Sequence, residues 1–202
     1  MFALVEAAGW PIYLLIFSSI IAVAVIVERV WFLRGRKVAP PGLLFDVVRE
    51  LKQKGVTDEM LAELDIHSPL GRVFAAGLKN VKSTPEVMKE SVEEAGRAVT
   101  HELERFLTTL GTIATISPLL GLFGTVVGMI EIFGSQTSAG SNPSVLAHGI
   151  SVALYNTALG LIVAVPSIIA YRHLRAQVDS LSIEMEQQAI KLVEIAHGSR
   201  RG

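Results

Sequence analysis

Three long runs without a charged side chain decide what this chain can fold into. They cover residues 7–27, 106–130 and 145–171. Each run reaches the length of about 20 residues that an α-helix needs to cross a bilayer. Because unpaired backbone groups are costly in lipid, such runs cross it as helices. The sequence therefore predicts an all-α membrane protein with three transmembrane helices.

The composition fits one membrane domain better than a soluble protein. Hydrophobic residues make up 50% of the 202 positions, and the mean hydropathy is +0.49. The formal net charge of −1 argues against nucleic acid as a partner. Cysteine is absent, the five histidines are scattered, and no Walker loop, HExxH or GxSxG motif occurs. We therefore expect no enzyme activity, no metal site and no cofactor.

The charge distribution predicts the orientation in the membrane. All 18 Lys and Arg residues lie at Arg29 or later, and neither residues 1–9 nor the turn-rich loop 134–144 holds one. By the positive-inside rule, the N-terminus and this loop are periplasmic and the C-terminus is cytoplasmic. The expected regions are the N-terminus with the first transmembrane helix (1–33), a cytoplasmic helical region (34–105), a hairpin of the second and third spans (106–171) and a cytoplasmic C-terminal helix (172–202).

The polar regions keep a helical period. Short amphipathic helices are expected at 43–54 and 57–66, and another begins at Ser68. From a helix start at Pro85, apolar residues step by three or four into the second span, which predicts one helix from about 85 to 133. The apolar period also continues beyond Arg172. Two of the three spans should therefore extend into the cytoplasm.

Small residues follow one face of the second and third spans. Stripes of this kind let two membrane helices approach closely. The expected packing residues are Gly121, Gly124, Gly128, Gly149, Ala153, Gly160 and Ala164, and the expected helix kinks are at Pro118 and Pro166. Taken alone, the second-span stripe most simply indicates packing between helices.

Two hydroxyl groups accompany these stripes. Counting outward from the connecting loop places Thr125 and Thr157 at similar depths, about 6 Å apart along the helices. Two hydroxyls facing one interior make an ion path, but they also fit threonines bonded back to their own helix. Of the ionisable residues, Glu131 and His148 approach the membrane from outside, where both also fit solvated side chains.

Two motifs in this hairpin resemble a known family. They are G-L-F-G-T-V-V-G-M at 121–129 and G-I-S-x-A-L-x-x-T-A-x-G-L-x-x-A-x-P at 149–166. They are similar to the MotA/TolQ/ExbB proton-channel family, and within it to the TolQ/ExbB branch. The motifs cover roughly 105–175, and the layout of the whole chain agrees with them.

The resemblance implies a homo-oligomeric ring, typically a pentamer, in a bacterial inner membrane. The ring surrounds single-span partners of the ExbD/TolR type, each carrying one intramembrane aspartate, and protons crossing by that aspartate turn ring and core relative to each other. The leading role is to energise outer-membrane transport in the ExbB manner, with a TonB-like protein passing on force. The family's hydroxyl positions fall on Thr125 and Thr157.

One position departs from the family pattern. ExbB and TolQ proteins commonly carry a glutamate within G-I-A-E-A-L, and here that position is Val152. Glu131 lies at the outer end of the second span, by sequence counting about 7 Å further out than Val152. We therefore hypothesise that Glu131 is an entrance acid for the ion path, beside the alternative of a solvated carboxylate.

Several other roles stay open. A TolQ-like role in envelope integrity and a stator for motility both fit the same motifs. A passive membrane scaffold without ion flux fits the packing stripes. A small-solute transporter is a further alternative, but the inverted repeat found in many transporters is not evident.

Overall fold

The computed structural model describes residues 9–134 and 143–198, which form eight helices and no strand. The helices are α1 (Pro11–Phe32), α2 (Gly35–Val38), α3 (Leu43–Lys54), α4 (Asp58–His67), α5 (Pro69–Lys79), α6 (Pro85–Leu103), α7 (Leu107–Gly134) and α8 (Pro143–Ala196). Stretches long and apolar enough to span a membrane lie in α1, α7 and α8. The prediction of an all-α protein with three membrane spans is therefore confirmed. Most of the predicted loop 134–144 lies outside the described residues.

The chain divides into two compact units. One, here called the apolar unit, comprises Met1–Glu28 and Phe106–His173. The other, the polar unit, comprises Arg29–Arg105 and Leu174–Gly202.

In the apolar unit, each of the two predicted kink prolines lies inside a helix and next to a buried serine. Pro118 is within α7 and Pro166 within α8. The Ser117 hydroxyl donates to the Ile113 carbonyl at 2.7 Å, and the Ser167 hydroxyl donates to the Val163 carbonyl at the same distance. These bonds to the preceding turn satisfy hydroxyls that burial would otherwise leave unpaired.

In the polar unit, three helices begin at a hydroxyl side chain, where the sequence pattern places their starts. Thr57 Oγ1 accepts from the Met60 N–H at 3.2 Å, and Ser68 Oγ accepts from the Gly71 N–H at 3.0 Å. Thr84 Oγ1 likewise accepts from the Val87 N–H at 3.5 Å. Such caps satisfy N–H groups that the first turn of a helix leaves open.

The core of the polar unit is built around α5. Leu70, Phe74 and Leu78 are fully buried there. The helix α6 comes close at Gly77, where an added Cβ would lie 2.7 Å from the Val92 Cγ2. The part of α8 in this unit buries apolar residues at three- and four-residue steps: Leu174, Val178, Leu181, Met185, Ala189 and Leu192.

The prediction of one helix from 85 to 133 is wrong. The helix ends at Leu103 and a new one begins at Leu107, with Phe106 in the left-handed region at φ 64°. The apolar period did not reveal this break because Leu103 and Leu107, both buried, are four residues apart. By contrast, α8 is continuous for 54 residues, as its pattern predicted.

A buried arginine explains how α6 can end at this point. Arg29 is only 3% exposed, and its Nη1 donates to the carbonyls of Glu102 and Leu103 at 3.4 and 3.3 Å. The Leu103 carbonyl is among those that the last turn of a helix leaves without a partner, whereas the Glu102 carbonyl also accepts from the Arg105 N–H at 3.2 Å. A cation there is also favoured by the helix dipole. The Arg29 side chain therefore caps the C-terminus of α6.

Candidate ion-path site

The candidate site is built on a close contact between α7 and α8 within one chain. An added Cβ on Gly121 would lie 2.7 Å from the Asn156 carbonyl oxygen and 2.9 Å from the Thr157 Cα. On Gly124 it would lie 2.7 Å from the Asn156 Cγ, and on Gly128 3.1 Å from the Ala153 Cβ. The glycines of α7 thus face the small residues of α8.

The same contact continues from the side of α8. An added Cβ on Gly160 would lie 2.5 Å from the Ser117 carbonyl oxygen and 3.1 Å from the Gly121 Cα. On Gly149 it would meet the Ile132 Cδ1 at 2.7 Å, the flexible end of a side chain. Ala153 and Ala164 are buried. At Gly121 and Gly160 the obstacle is backbone, so the two helices are held at a distance that only glycine permits.

These contacts fix the register of the antiparallel pair. Gly124 lies opposite Asn156, Gly128 opposite Ala153, and Ile132 opposite Gly149. In this register Thr125 and Thr157 differ in depth by about one to two residues, or roughly 2–3 Å. Sequence counting gave about 6 Å, because it assumed that both helices begin at the ends of the uncharged loop.

The register also shows that the two threonines lie on one side of the helix pair. Thr125 directly follows the contact residue Gly124, and Thr157 directly follows the contact residue Asn156. At 3.6 residues per turn, each threonine is therefore one step of about 100° beyond its contact residue, in the same sense of rotation. The two helices run antiparallel with their contact stripes facing each other. The same rotation from each stripe therefore leads to the same side of the helix pair. We call this side the threonine flank.

The threonine flank is partly open. Thr125 and Thr157 are both half-buried. The Thr125 hydroxyl donates to the Leu122 carbonyl at 2.6 Å and lines a shallow groove of about 460 Å³ with Val126, Met129 and Ile130. Because a hydroxyl also accepts, Thr125 can still accept a hydrogen bond while its proton is held by the helix.

Comparison with known proteins identifies the family. The sequence profile of the MotA/TolQ/ExbB proton channel family matches residues 65–187. The chain belongs to this family. Its match with the biopolymer transport protein exbB1 of Vibrio cholerae is 32% identical and covers 88% of this chain and 79% of that protein. With the Tol-Pal system protein TolQ of Pseudomonas aeruginosa it is 30% identical, covering 90% and 85%.

Similarity to a third relative rises over a shorter region. The biopolymer transport protein ExbB of Helicobacter pylori is 42% identical over 86 residues, which is 42% of this chain and 59% of that protein. Family membership and the three apolar helices together indicate a transport component of the inner membrane.

Glu131 lies away from the threonine flank. It directly precedes the contact residue Ile132, and Val152 directly precedes the contact residue Ala153. By the same argument both lie on the opposite side, here called the Glu131 flank. Glu131 is exposed and only about two residues, or 3 Å, further out than Val152. The difference in depth of about 7 Å that was obtained by counting from the loop was wrong, because that count assumed that both helices begin at the loop ends.

The structure adds polar residues that the sequence patterns did not single out as site residues. Asn156 is fully buried against Gly124, and Ser117 is fully buried beside Gly160. Thr112 and Thr115 are exposed on another side of α7 and donate to carbonyls one turn back. A polar side chain in the middle of an apolar run was the sequence feature that could have identified Asn156 as a site residue. The described residues contain no group of three His, Cys, Asp or Glu residues placed to hold a metal.

Proposed function

We propose that this chain is the ring subunit of an inner-membrane complex that uses the proton motive force to energise outer-membrane transport. It would assemble as a homo-oligomer, with a pentamer expected, around a single-span ExbD/TolR-like subunit and act with a TonB-like protein. The observation that carries the proposal is the placement of Thr125 and Thr157 on one flank at nearly one depth. The matches to proteins named for biopolymer transport support the transport role.

The chemistry of the threonine flank fits a partner carboxyl that changes protonation. In a low-dielectric interior an ionised aspartate is costly unless hydrogen bonds stabilise it. A hydroxyl can accept from the protonated acid and donate to the carboxylate. Thr125 would accept a hydrogen bond from the protonated aspartate while its own hydroxyl proton stays on the Leu122 carbonyl. To donate to the ionised aspartate, the hydroxyl would first have to break its bond to Leu122. The threonine hydroxyls of the ring would thus form hydrogen bonds with both the protonated and the ionised aspartate.

The proposal is tested by substituting Thr157. Thr157→Val keeps the shape and removes donor and acceptor, so the complex should assemble and lose proton flux in reconstituted vesicles. Thr157→Ser should retain much of the flux. Thr115→Val is the matched control, because Thr115 is exposed on another side of α7 and already bonded to its own helix. If Thr157→Val conducts as well as Thr157→Ser, the hydroxyl has no part in an ion path.

A TolQ-like role in envelope integrity is the second candidate, since the match to a protein of the Tol-Pal system covers 90% of this chain. Expression in two host strains, one lacking its ExbB and the other its TolQ, separates the roles. Recovery of energised outer-membrane uptake supports the first, and recovery of detergent resistance alone supports the second.

A further inference from the structure

A basic cleft lies in the polar unit beside the end of α1. It has a volume of about 580 Å³ and its cationic lining residues are Arg36, Lys37 and Arg72, with His67 beside them. Two acids, Asp65 and Glu102, also line it. Arg72 is paired with Glu102, with 2.7 Å between Nη1 and Oε2. Arg36 and Lys37 therefore outnumber the remaining acid, Asp65, and leave the cleft positive.

The N-terminus of α5 adds to this positive potential. Ser68 and Pro69, its cap and its first residue, line the same cleft. The first turn of α5 contains no acidic residue that would neutralise the partial positive charge there. A helix N-terminus and two cations around one cleft favour a phosphate group as ligand.

The position of the cleft along the chain selects a lipid phosphate. Phe32 lines it and lies five residues after Val27, the end of the uncharged run of the first span. That distance is about 8 Å along the helix, which is the depth of a lipid headgroup layer. Glu102, on another wall, is four residues before the uncharged run of the second span.

The cleft also has apolar walls suited to a lipid. Phe32, Pro40 and Ile66 line it, and Ile66 is 86% exposed. Next to it, Lys37 Nζ lies 3.0 Å from the centre of the exposed Trp31 ring, a contact that orients the ammonium group. Tryptophan is typical of the membrane–water interface. Free phosphate has no apolar atoms to pack against these walls, whereas the glycerol and acyl chains of a lipid do.

We propose that this cleft binds the headgroup of an anionic glycerophospholipid of the membrane, with Arg36 and Lys37 contacting the phosphate. The site is separate from the ion path, so it stands whether or not the chain conducts protons. Basic clefts next to membrane spans are suited to anionic headgroups, and each cation near the surface strengthens such binding several-fold.

The test compares lipid binding by two double variants of the full chain, purified in a neutral detergent. Arg36→Gln with Lys37→Gln removes two exposed cations from the cleft, and Lys79→Gln with Lys82→Gln removes two exposed cations outside it. Native mass spectrometry with added phosphatidylglycerol or phosphatidylcholine measures the retained lipid. We expect the cleft variant to bind phosphatidylglycerol roughly 30-fold more weakly and the control variant to match the wild type.

Three outcomes would overturn the proposal. Equal retention of phosphatidylcholine and phosphatidylglycerol by the wild type would show that no anionic headgroup is recognised. Equal loss in both double variants would show a general charge effect. Displacement of the lipid by millimolar glycerol 1-phosphate would assign the cleft to a soluble phosphate ester instead.

Discussion

Replacing Gly160 with alanine tests the close approach of α7 and α8. The new Cβ would lie 2.5 Å from the Ser117 carbonyl oxygen, whereas ordinary contact begins at 3.4 Å. The helices must therefore separate by about 0.9 Å, a gap that forfeits a quarter to a half of the dispersion energy of each lost contact. Overpacking of this kind lowers the unfolding free energy by about 1–3 kcal/mol. The better helix propensity of alanine offsets about 1 kcal/mol of that loss.

A matched control is available in α6. An added Cβ on Gly96 meets nothing within 4 Å, so Gly96→Ala should stabilise the protein by up to about 1 kcal/mol through propensity alone. The two variants should therefore differ by about 2 kcal/mol, or roughly 4–8 °C in Tm. Thermal unfolding of the detergent-solubilised protein, followed by circular dichroism, measures this difference. A Tm for Gly160→Ala equal to or above that of Gly96→Ala would refute the close approach.

The double variant sharpens the test. Gly121 lies 3.1 Å from the position of the Gly160 Cβ, so the two sites share one contact. Once one alanine has separated the helices, the second has less to disrupt. Gly121→Ala with Gly160→Ala should therefore cost less than the two single changes together. Strict additivity would place the two glycines in different contacts.

Three further predictions concern the polar unit, the helix break and the orientation. Arg29→Met removes the side-chain donor to the buried Leu103 carbonyl of α6 and should cost about 1–3 kcal/mol in unfolding free energy, whereas Arg34→Met, at an exposed position, should have little effect. Equal Tm values would contradict the capping role. Phe106→Asn should unfold at a higher temperature than Phe106→Val, because asparagine tolerates φ 64° and a β-branched residue does not; the reverse order would contradict this reason. A cysteine at Ser138 should react with an impermeant reagent from outside intact cells and one at Ser91 should not, and the reverse pattern would invert the orientation.

Hydropathy was sufficient to predict the three spans, because the length of an uncharged run decides whether a helix can cross a membrane. Small residues at three- and four-residue steps indicate a face of a helix, but not which residues of the other helix meet it. The end of α6 was not predictable in this way. It depends on Arg29, which is more than seventy residues away in sequence, and on one left-handed residue in an unbroken apolar period.

Depth within the hairpin shows the same limit. Counting from a loop assumes that both helices begin at the loop ends, whereas the register is set by which small residues meet. Gly128 opposite Ala153 is a contact between two chain segments, and no local pattern contains it. The sides on which Thr125 and Glu131 lie follow from that register as well. For this reason the sequence grouped Glu131 with the threonines, and the structure separates them.

The last prediction concerns Glu131 on its own flank. In a closed ring of identical subunits joined head to tail, one side of each subunit meets the other side of the next. Because Glu131 is exposed near the outer end of α7, its carboxylate would concentrate protons at the mouth of such a ring, while the threonine flank stays open to the central partner. Glu131→Gln keeps size and removes charge, so it should slow proton flux in vesicles carrying the assembled complex, most strongly at high external pH where protons are scarce. Val152→Glu, on the same flank and about 3 Å deeper, should restore flux to Glu131→Gln by supplying a carboxylate nearby. Flux that Glu131→Gln leaves unchanged across the pH range would make Glu131 a solvated side chain at the end of α7 and leave the ion path to the threonine flank alone.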